Sequence, residues 1–257
     1  YAEKQYFLTA LLPSAGRRWC VGTFHHHPVK FPFMVQRTAH YRTLDLAITV
    51  STVQIEFLEQ MVGKGKVVFV PHGIDTDYWT PAQVIEDCRR KILLFAGSHM
   101  RDFACLGQVI ERILGRRKDV EFILISPQRE CGSIYRRPNV RWLYRIPDDE
   151  YLRWMQRATL LVLPLKYSTA VNTVLEALAC GTPVVTTEGG ISDYLDNSCS
   201  LQFKRGDAEG MAKGILELLD SGDSLIQMRS AARQKALEFS WPKVAARIRE
   251  IFAERFA

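Results

Sequence analysis

No stretch of this 257-residue chain approaches the ~20 consecutive apolar residues that a transmembrane helix needs. The most apolar run near its start, residues 6–12, lacks the shape and the cleavage site of a secretory signal peptide. Low-complexity tracts and internal repeats are missing as well. We therefore expect a cytoplasmic chain, and peripheral contact with the inner face of a membrane is a further expectation.

The six cysteines include no C-x-x-C pair and no zinc-ligand spacing. Cys20 and Cys180 stand in apolar runs, where a free cysteine behaves as a small hydrophobe, and this pattern indicates a reducing compartment. No Asp-x-Asp follows a predicted strand. Three consecutive histidines, at positions 25–27, cannot share one face of a regular element. The sequence therefore predicts neither a metal site nor a cofactor.

The net charge of +6 is concentrated in two basic clusters. The first contains Arg112, Arg116, Arg117 and Lys118, and the second contains Arg136, Arg137, Arg141 and Arg145. Two interpretations stand side by side, solvated helix and loop faces or attraction to an anionic membrane surface. Nucleic acid is not expected as a partner, because neither cluster is interleaved with a stacking motif.

Short β-branched runs alternate with longer helical patterns, which is typical of α/β units with parallel sheets. Strands are predicted at residues 19–24, 46–50, 67–70, 91–96, 120–126, 160–164 and 184–187. Helices are predicted at residues 52–62, 103–114, 148–157 and 172–180, and the chain is expected to be all helical from Asp207 onward.

A polar, proline-containing break at residues 79–91 divides the chain. Residues 81–240 hold enough strands and helices for a doubly wound domain. Residues 1–80 supply about three strands after a helix-like opening, so they are expected to be the last portion of a second domain of the same type. Residues 241–257 form a separate closing helix. Its apolar residues recur every three to four positions and predict one buried stripe, made of Val244, Ala245, Ile248 and Ile251.

The most informative stretch is residues 163–190, where a strand leads through small polar residues into a helix that starts near Asn172. Asn or Thr there is expected to cap the helix, and Gly181 to end it. A helix N-terminus at the carboxyl end of a strand favours a bound anion. Glu176, one turn into the helix, is either a structural carboxylate or an acceptor for the two hydroxyls of a ribose.

Four segments in order resemble family 4 glycosyltransferases, which have the two-domain GT-B fold and retain anomeric configuration. They are LEALACGTPVVTTEGG (175–190), VVFVPHGIDTDYWTP (67–81), LLFAGSHMRDF (93–103) and FSWPKVAARIREIF (239–252). Together these segments extend the resemblance over nearly the whole chain from residue 45. The resemblance implies a donor domain at 81–240 and a last helix, 241–257, that crosses back to the N-terminal domain.

The resemblance also implies that a nucleotide-sugar donor binds in the cleft between the domains. Glu176 would bind the ribose, and the backbone N–H groups of Ala170, Val171 and Asn172 would bind the diphosphate. Gly189 and Gly190 would let the backbone approach the donor closely.

The chain departs from the family pattern at Ser168, where a glutamate that contacts the transferred sugar is usual. Arg101, just after the turn at Gly97, is the best match to the family's phosphate clamp, and its alternative is a surface arginine paired with Asp102. Lys166 is a second candidate cation, with a solvated lysine as its alternative.

His25 is the best match to the N-terminal-domain histidine that faces the donor sugar, with His26 next. A loop histidine without an active-site role is the alternative for both. Asp193 is predicted to cap the short helix that follows it, with a contact to the nucleotide as the alternative.

The leading hypothesis is a retaining, metal-independent hexosyltransferase that uses a nucleotide-diphospho sugar and a glycan, lipid or small-molecule acceptor. An arginine or lysine and a helix N-terminus would stabilise the charge on the departing diphosphate. Alternatives are a non-catalytic nucleotide-binding module of the same fold and a nucleotide-sugar epimerase. Most of an acceptor domain is not expected in residues 1–80, so the 257-residue chain alone is expected to transfer sugar poorly.

Overall fold

The computed structural model of the chain describes residues 19–35, 37–83, 90–127 and 136–256. The predicted helix-like opening, Cys88 and Cys131 lie outside these residues. The four cysteines within them, at positions 20, 105, 180 and 199, are free. The predicted boundary near residue 80 lies beside residues 84–89, which are outside the described chain, and stays a prediction.

The described residues up to position 83 contain a three-stranded parallel sheet in the order β1-β2-β3. Its strands are β1 (Val21–Phe24), β2 (Leu46–Thr49) and β3 (Val67–Phe69), joined through α1 (Phe31–Met34) and α2 (Ile55–Val62). Three 3-10 turns, Pro28–Lys30, Ala39–Thr43 and Thr52–Gln54, complete this N-terminal unit.

The later residues contain a six-stranded parallel sheet in the order β6-β5-β4-β7-β8-β9. Its strands are β4 (Lys91–Ala96), β5 (Val120–Ile125), β6 (Val140–Leu143), β7 (Leu160–Leu163), β8 (Val184–Thr187) and β9 (Ser200–Phe203). The helices are α3 (Phe103–Arg116), α4 (Asp148–Arg157), α5 (Asn172–Ala179), α6 (Ala208–Asp220) and α7 (Gly222–Glu238). We call this assembly the C-terminal unit.

The six-stranded sheet grows outward from β4 in both directions, because β4 pairs with β5 on one side and with β7 on the other. The carboxyl ends of β4 and β7 therefore form the switch point of a doubly wound sheet, where ligands bind in this class of fold. The predicted α/β class and all seven predicted strands are confirmed. The strands β6 and β9 were not predicted because they are half-exposed edge strands without an apolar run.

The last helix, α8 (Trp241–Phe256), packs on the N-terminal sheet rather than on its own unit. Val244 and Ile251 are buried in one cluster with Leu46, Ile48 and Val70, and Ile248 packs on its edge. The predicted buried stripe of this helix is confirmed at Val244, Ile248 and Ile251. It is wrong at position 245, whose alanine is exposed because it points away from the sheet.

The two basic clusters lie on the C-terminal unit, and most of their arginines have partners there. Arg117 pairs with Asp119 and Asp220, and Arg137 pairs with Glu111. Others contact rings or the backbone, namely Arg141 on Trp154, Arg145 on Tyr144 and Arg112 on the carbonyl of Gln108. These contacts favour the interpretation that the two basic clusters are solvated faces whose charges are paired locally. None of the helices in the described part of the chain combines the length and the apolar character that spanning a bilayer requires.

Candidate functional site

A cavity of about 430 Å³ lies between the two units, beside the carboxyl ends of their strands. The N-terminal unit contributes His25, His26, His27, Lys30, Val50 and His72 to its wall. The C-terminal unit contributes His99, Met100, Arg101 and the loop from Tyr167 to Thr173. No carboxylate lines this cavity among the residues that the structure describes. Its wall is therefore suited to an anion.

The N-terminus of α5 opens directly on this cavity. The N-cap residue is Val171, and no side chain caps the helix, so the predicted capping by Asn172 is wrong. Within the described chain, the backbone N–H groups of Asn172 and Thr173 have no acceptor. Gly181, with φ of 70°, follows the last turn as predicted. An uncapped helix start with open N–H groups is an anion site.

Arg101 reaches the cavity wall from the end of β4 and is only 8% exposed. Its Nε donates to the carbonyl of Ala96 (3.0 Å), its Nη1 to the carbonyl of His99 (3.2 Å), and its Nη2 to Thr173 Oγ1 (3.1 Å). These bonds use three of the five guanidinium N–H groups. The other two have no acceptor among the described residues and are available to a ligand.

Gly97 makes room for this arginine. It has φ of 91°, and a Cβ there would lie 2.8 Å from Arg101 Nη2. The alternative of a surface arginine paired with Asp102 is wrong, since the Asp102 carboxylate instead accepts from the N–H of Cys105 (3.0 Å) and caps α3.

A buried polar network stands behind Arg101. Tyr151 donates to Glu176 Oε2 (2.9 Å) and also bonds to Thr173, which accepts from Arg101. Burial lowers the pKa of Arg101 to about 10, an effect that Tyr151 and Glu176 oppose, so the guanidinium is cationic at neutral pH. Burial raises the pKa of Glu176, while the Tyr151 hydroxyl and the Arg101 charge lower it.

Glu176 itself does not belong to the wall of the cavity. Its Oε2 is engaged by Tyr151, and its Oε1 accepts no bond within the described chain. The side chain is partly exposed. One oxygen of Glu176 is therefore structural, and ribose binding through the other stays a prediction.

Five of the six histidines of the chain line the cavity, three from the loop after β1 and two from positions 72 and 99. The ring of His25 lies 5.9 Å from that of His72, and the ring of His26 lies 6.4 Å from that of His99. Within the described residues, no group of three or more His, Cys, Asp or Glu side chains is arranged to hold a metal.

The remaining predicted site residues are Lys166, Ser168 and the two glycines Gly189 and Gly190, and of these only Ser168 lines the cavity. Lys166 is exposed and is not part of the wall. Ser168 lines the wall, but its Oγ accepts from the N–H of Ile191 (3.1 Å). A Cβ on Gly189 would lie 3.0 Å from Ser168 Oγ, and one on Gly190 would lie 2.3 Å from the Ser168 carbonyl oxygen. The space at these glycines is filled by the protein itself.

Asp193 joins the two units across the cleft. Its Oδ2 accepts from Ser51 Oγ (2.7 Å) and from the N–H of Thr52 (2.8 Å), and its Oδ1 accepts from Thr52 Oγ1 (2.7 Å). The predicted cap on a short helix after Asp193 is therefore wrong, because Asp193 lies inside the 3-10 turn Gly190–Tyr194 and its carboxylate accepts from Thr52 of the other unit. Tyr194 supports this contact by donating to the carbonyl of Val50 (2.5 Å).

We expect replacement of the Asp193 carboxylate to weaken the contact between the two units. Asp193→Asn keeps the shape of the side chain but replaces one acceptor oxygen with an NH2 group, which cannot accept from the three donors of Ser51 and Thr52. The contact between the units should weaken by about 1–3 kcal/mol. We expect a larger radius of gyration by small-angle X-ray scattering. Asp223→Asn, at an exposed aspartate of α7, is the control. Equal scattering from both variants would show that Asp193 does not hold the units together.

Sequence reasoning missed Lys30, His72, His99 and Tyr167 as wall residues. His72 and His99 lie inside two of the segments that carry the family resemblance, but nothing in the sequence shows that they face His25 and His26. Nothing in the residues around Lys30 and Tyr167 indicates that these two side chains line a cavity.

A family model described as Glycosyl transferases group 1 matches residues 90–221, just over half of the chain. A D-inositol 3-phosphate glycosyltransferase of Corynebacterium urealyticum is 25% identical over 217 residues, which cover 74% of this chain and 51% of that protein. An alpha-maltose-1-phosphate synthase of Mycolicibacterium smegmatis is 26% identical over 221 residues, which cover 73% and 56%. The chain thus spans about half the length of these relatives.

Among solved structures, a sucrose-phosphate synthase from Thermosynechococcus elongatus has a TM-score of 0.77 at 19% identity, covering 98% of this chain and 70% of that one. HepE from Anabaena, in complex with UDP and glucose, has a TM-score of 0.72 at 17% identity, covering 92% and 72%. At such identities the likeness shows the fold alone, which is the GT-B fold.

Proposed function

Because the chain belongs to the group 1 glycosyl transferases, we propose that its cleft binds the donor of a retaining hexosyl transfer, a nucleotide-diphospho sugar. The observation that carries this proposal is the meeting of Arg101 and the uncapped start of α5 in a cavity wall whose described residues include no carboxylate. Both features favour a diphosphate. The acceptor would be a glycan, a lipid or a small molecule, and peripheral contact with a membrane stays part of the proposal.

The proposed transfer requires stabilisation of negative charge on the departing diphosphate. As the bond from the anomeric carbon to the diphosphate oxygen breaks, the departing nucleoside diphosphate gains negative charge. The two N–H groups of Arg101 that have no acceptor in the described chain, together with those of Asn172 and Thr173, can donate to these oxygens. Donors fixed before the reaction stabilise such charge without reorganisation.

The cavity supplies this charge from side chains and backbone, so we propose that donor binding needs no divalent metal. Lys166 is exposed and does not line the wall, so the proposed clamp is Arg101. His25 and His72 line the same cavity and are proposed to face the hydroxyls of the sugar. Among them, His72 Nδ1 lies 2.8 Å from the carbonyl of Gly73. A carbonyl only accepts, so the neutral ring presents Nε2 as an acceptor.

Glu176 is proposed to bind the ribose through Oε1. Glu176→Gln should weaken UDP binding by about 1–3 kcal/mol, because the amide loses one acceptor for the two hydroxyls. Binding of 2′-deoxy-UDP should change much less, so the preference for ribose should shrink. Calorimetric titration measures both. Glu217→Gln, at a surface glutamate paired with Lys213, is the matched control, and an unchanged ribose preference would leave Glu176 a purely structural residue.

One observation favours a second candidate, a nucleotide-binding module without transfer activity. Ser168 stands where the family resemblance implies a carboxylate on the transferred sugar, and its Oγ is already engaged by Ile191. Incubation with radiolabelled UDP-glucose and a panel of glycan and lipid acceptors separates the two candidates. Labelled product supports the transferase, while nucleotide binding without any product supports the module.

A further inference from the structure

The cationic groups of the cavity are divided between two walls. Arg101, His99 and the start of α5 belong to the C-terminal unit, and the proposed function assigns Arg101 and the helix start to the diphosphate. Lys30 belongs to the N-terminal unit and lies at the end of the turn Pro28–Lys30. The opposite wall thus carries a positive charge that is not assigned to the diphosphate.

Lys30 is partly buried, yet its ammonium group has no hydrogen bond or ion pair with any residue that the structure describes. Its neighbours are also cationic or able to become so. His99 is close enough to Lys30, His26 and Arg101 for their charges to lower its pKa, in addition to the effect of its burial. Charges of one sign that gather in a partly desolvated space repel each other, and a bound anion offsets that repulsion.

His27 adds a donor of fixed orientation to this wall. Its Nδ1 accepts from the N–H of Val29 (3.2 Å), so the proton of the neutral ring is on Nε2. Burial lowers the pKa of His27 and keeps the ring neutral. The ring packs on Tyr167 of the other unit, with 4.9 Å between ring centroids, so this wall reaches across the mouth of the cavity.

We propose that Lys30, with His26, His27 and His99, forms a second anion subsite, which takes a phosphate or carboxylate group of the substrate other than the donor diphosphate. This inference rests on the proposed function. The anionic group has two sources, a carboxylate on the transferred sugar or a phosphate on the acceptor. In either case the chain selects an acidic substrate over its neutral counterpart.

Calorimetric titration of the 257-residue chain tests this with two pairs of probes. UDP-glucuronate against UDP-glucose reports a carboxylate on the transferred sugar. Glucose 6-phosphate against glucose, at saturating UDP, reports a phosphate on a separate molecule. We expect the acidic member of one pair to bind about tenfold more tightly, the effect of one charge-assisted hydrogen bond. The pair that shows the preference identifies the source.

In Lys30→Gln, the affinity for the acidic probe should fall about tenfold more than the affinity for UDP itself. Lys213→Gln, at an exposed lysine of α6, is the matched control and should behave as the unchanged chain does. No preference in either pair, or equal losses for UDP and the acidic probe in Lys30→Gln, would overturn the inference. Absence of binding of UDP, GDP and ADP alike would contradict the proposed function instead, so the two failures are distinguishable.

Discussion

Arg101→Lys should abolish tight nucleotide binding and destabilise the C-terminal unit. Lysine keeps the charge but not the planar fork, so it cannot satisfy Ala96, His99 and Thr173 together while also reaching a ligand. Loss of these bonds costs about 2–4 kcal/mol of stability. Loss of two charge-assisted bonds to the diphosphate weakens UDP binding by about 100-fold or more.

Arg153→Lys is the matched control, because that arginine is exposed and pairs with Asp149 on the surface of α4. Chemical unfolding and calorimetric titration, on both variants, separate the two effects. If Arg101→Lys bound UDP as well as Arg153→Lys did, the diphosphate would have to sit elsewhere in the cleft.

Gly190→Ala should force the two units apart. Its new Cβ would lie 2.3 Å from the Ser168 carbonyl oxygen and 2.5 Å from Ser51 Oγ, which belong to different units. Neither neighbour can yield easily, because one is backbone and the other bonds to Asp193. Overpacking of this kind costs about 1–3 kcal/mol, which corresponds to a fall in Tm of roughly 2–12 °C for a chain of this size.

The glycine at position 222 offers a control, since a Cβ there would meet nothing within 4 Å. Differential scanning calorimetry of the two alanine variants gives the comparison. A Tm for Gly190→Ala equal to that of Gly222→Ala would mean that the units adjust to each other without strain.

The sequence was sufficient for the α/β class, because periodicity reports which face of each element is buried. It was insufficient at the sheet edges, where β6 and β9 carry polar and half-exposed residues. Similarly, the closing helix was predicted with its stripe, but the exposure of Ala245 depends on the sheet that it meets.

Within the candidate site, local pattern located the helix start at Asn172 and the cation at Arg101, while long-range geometry decided what they do. Asn172 was predicted as a cap but is the first helical residue. Asp193 was assigned to its own helix, yet it bonds to residues 141 and 142 positions away. The histidine cluster was out of reach for the same reason, since His25 and His72 meet through the fold of the N-terminal unit and His99 joins them only from the other unit.

We propose that Arg101 and the start of α5 bind a nucleoside diphosphate without a metal. Calorimetric titration of UDP, GDP and ADP into the 257-residue chain, first with EDTA and then with Mg²⁺, tests it most directly. We expect at least one of the three to bind at a single site with an affinity that EDTA leaves unchanged. Binding that requires Mg²⁺, or no binding of any of the three at millimolar concentration, would contradict it.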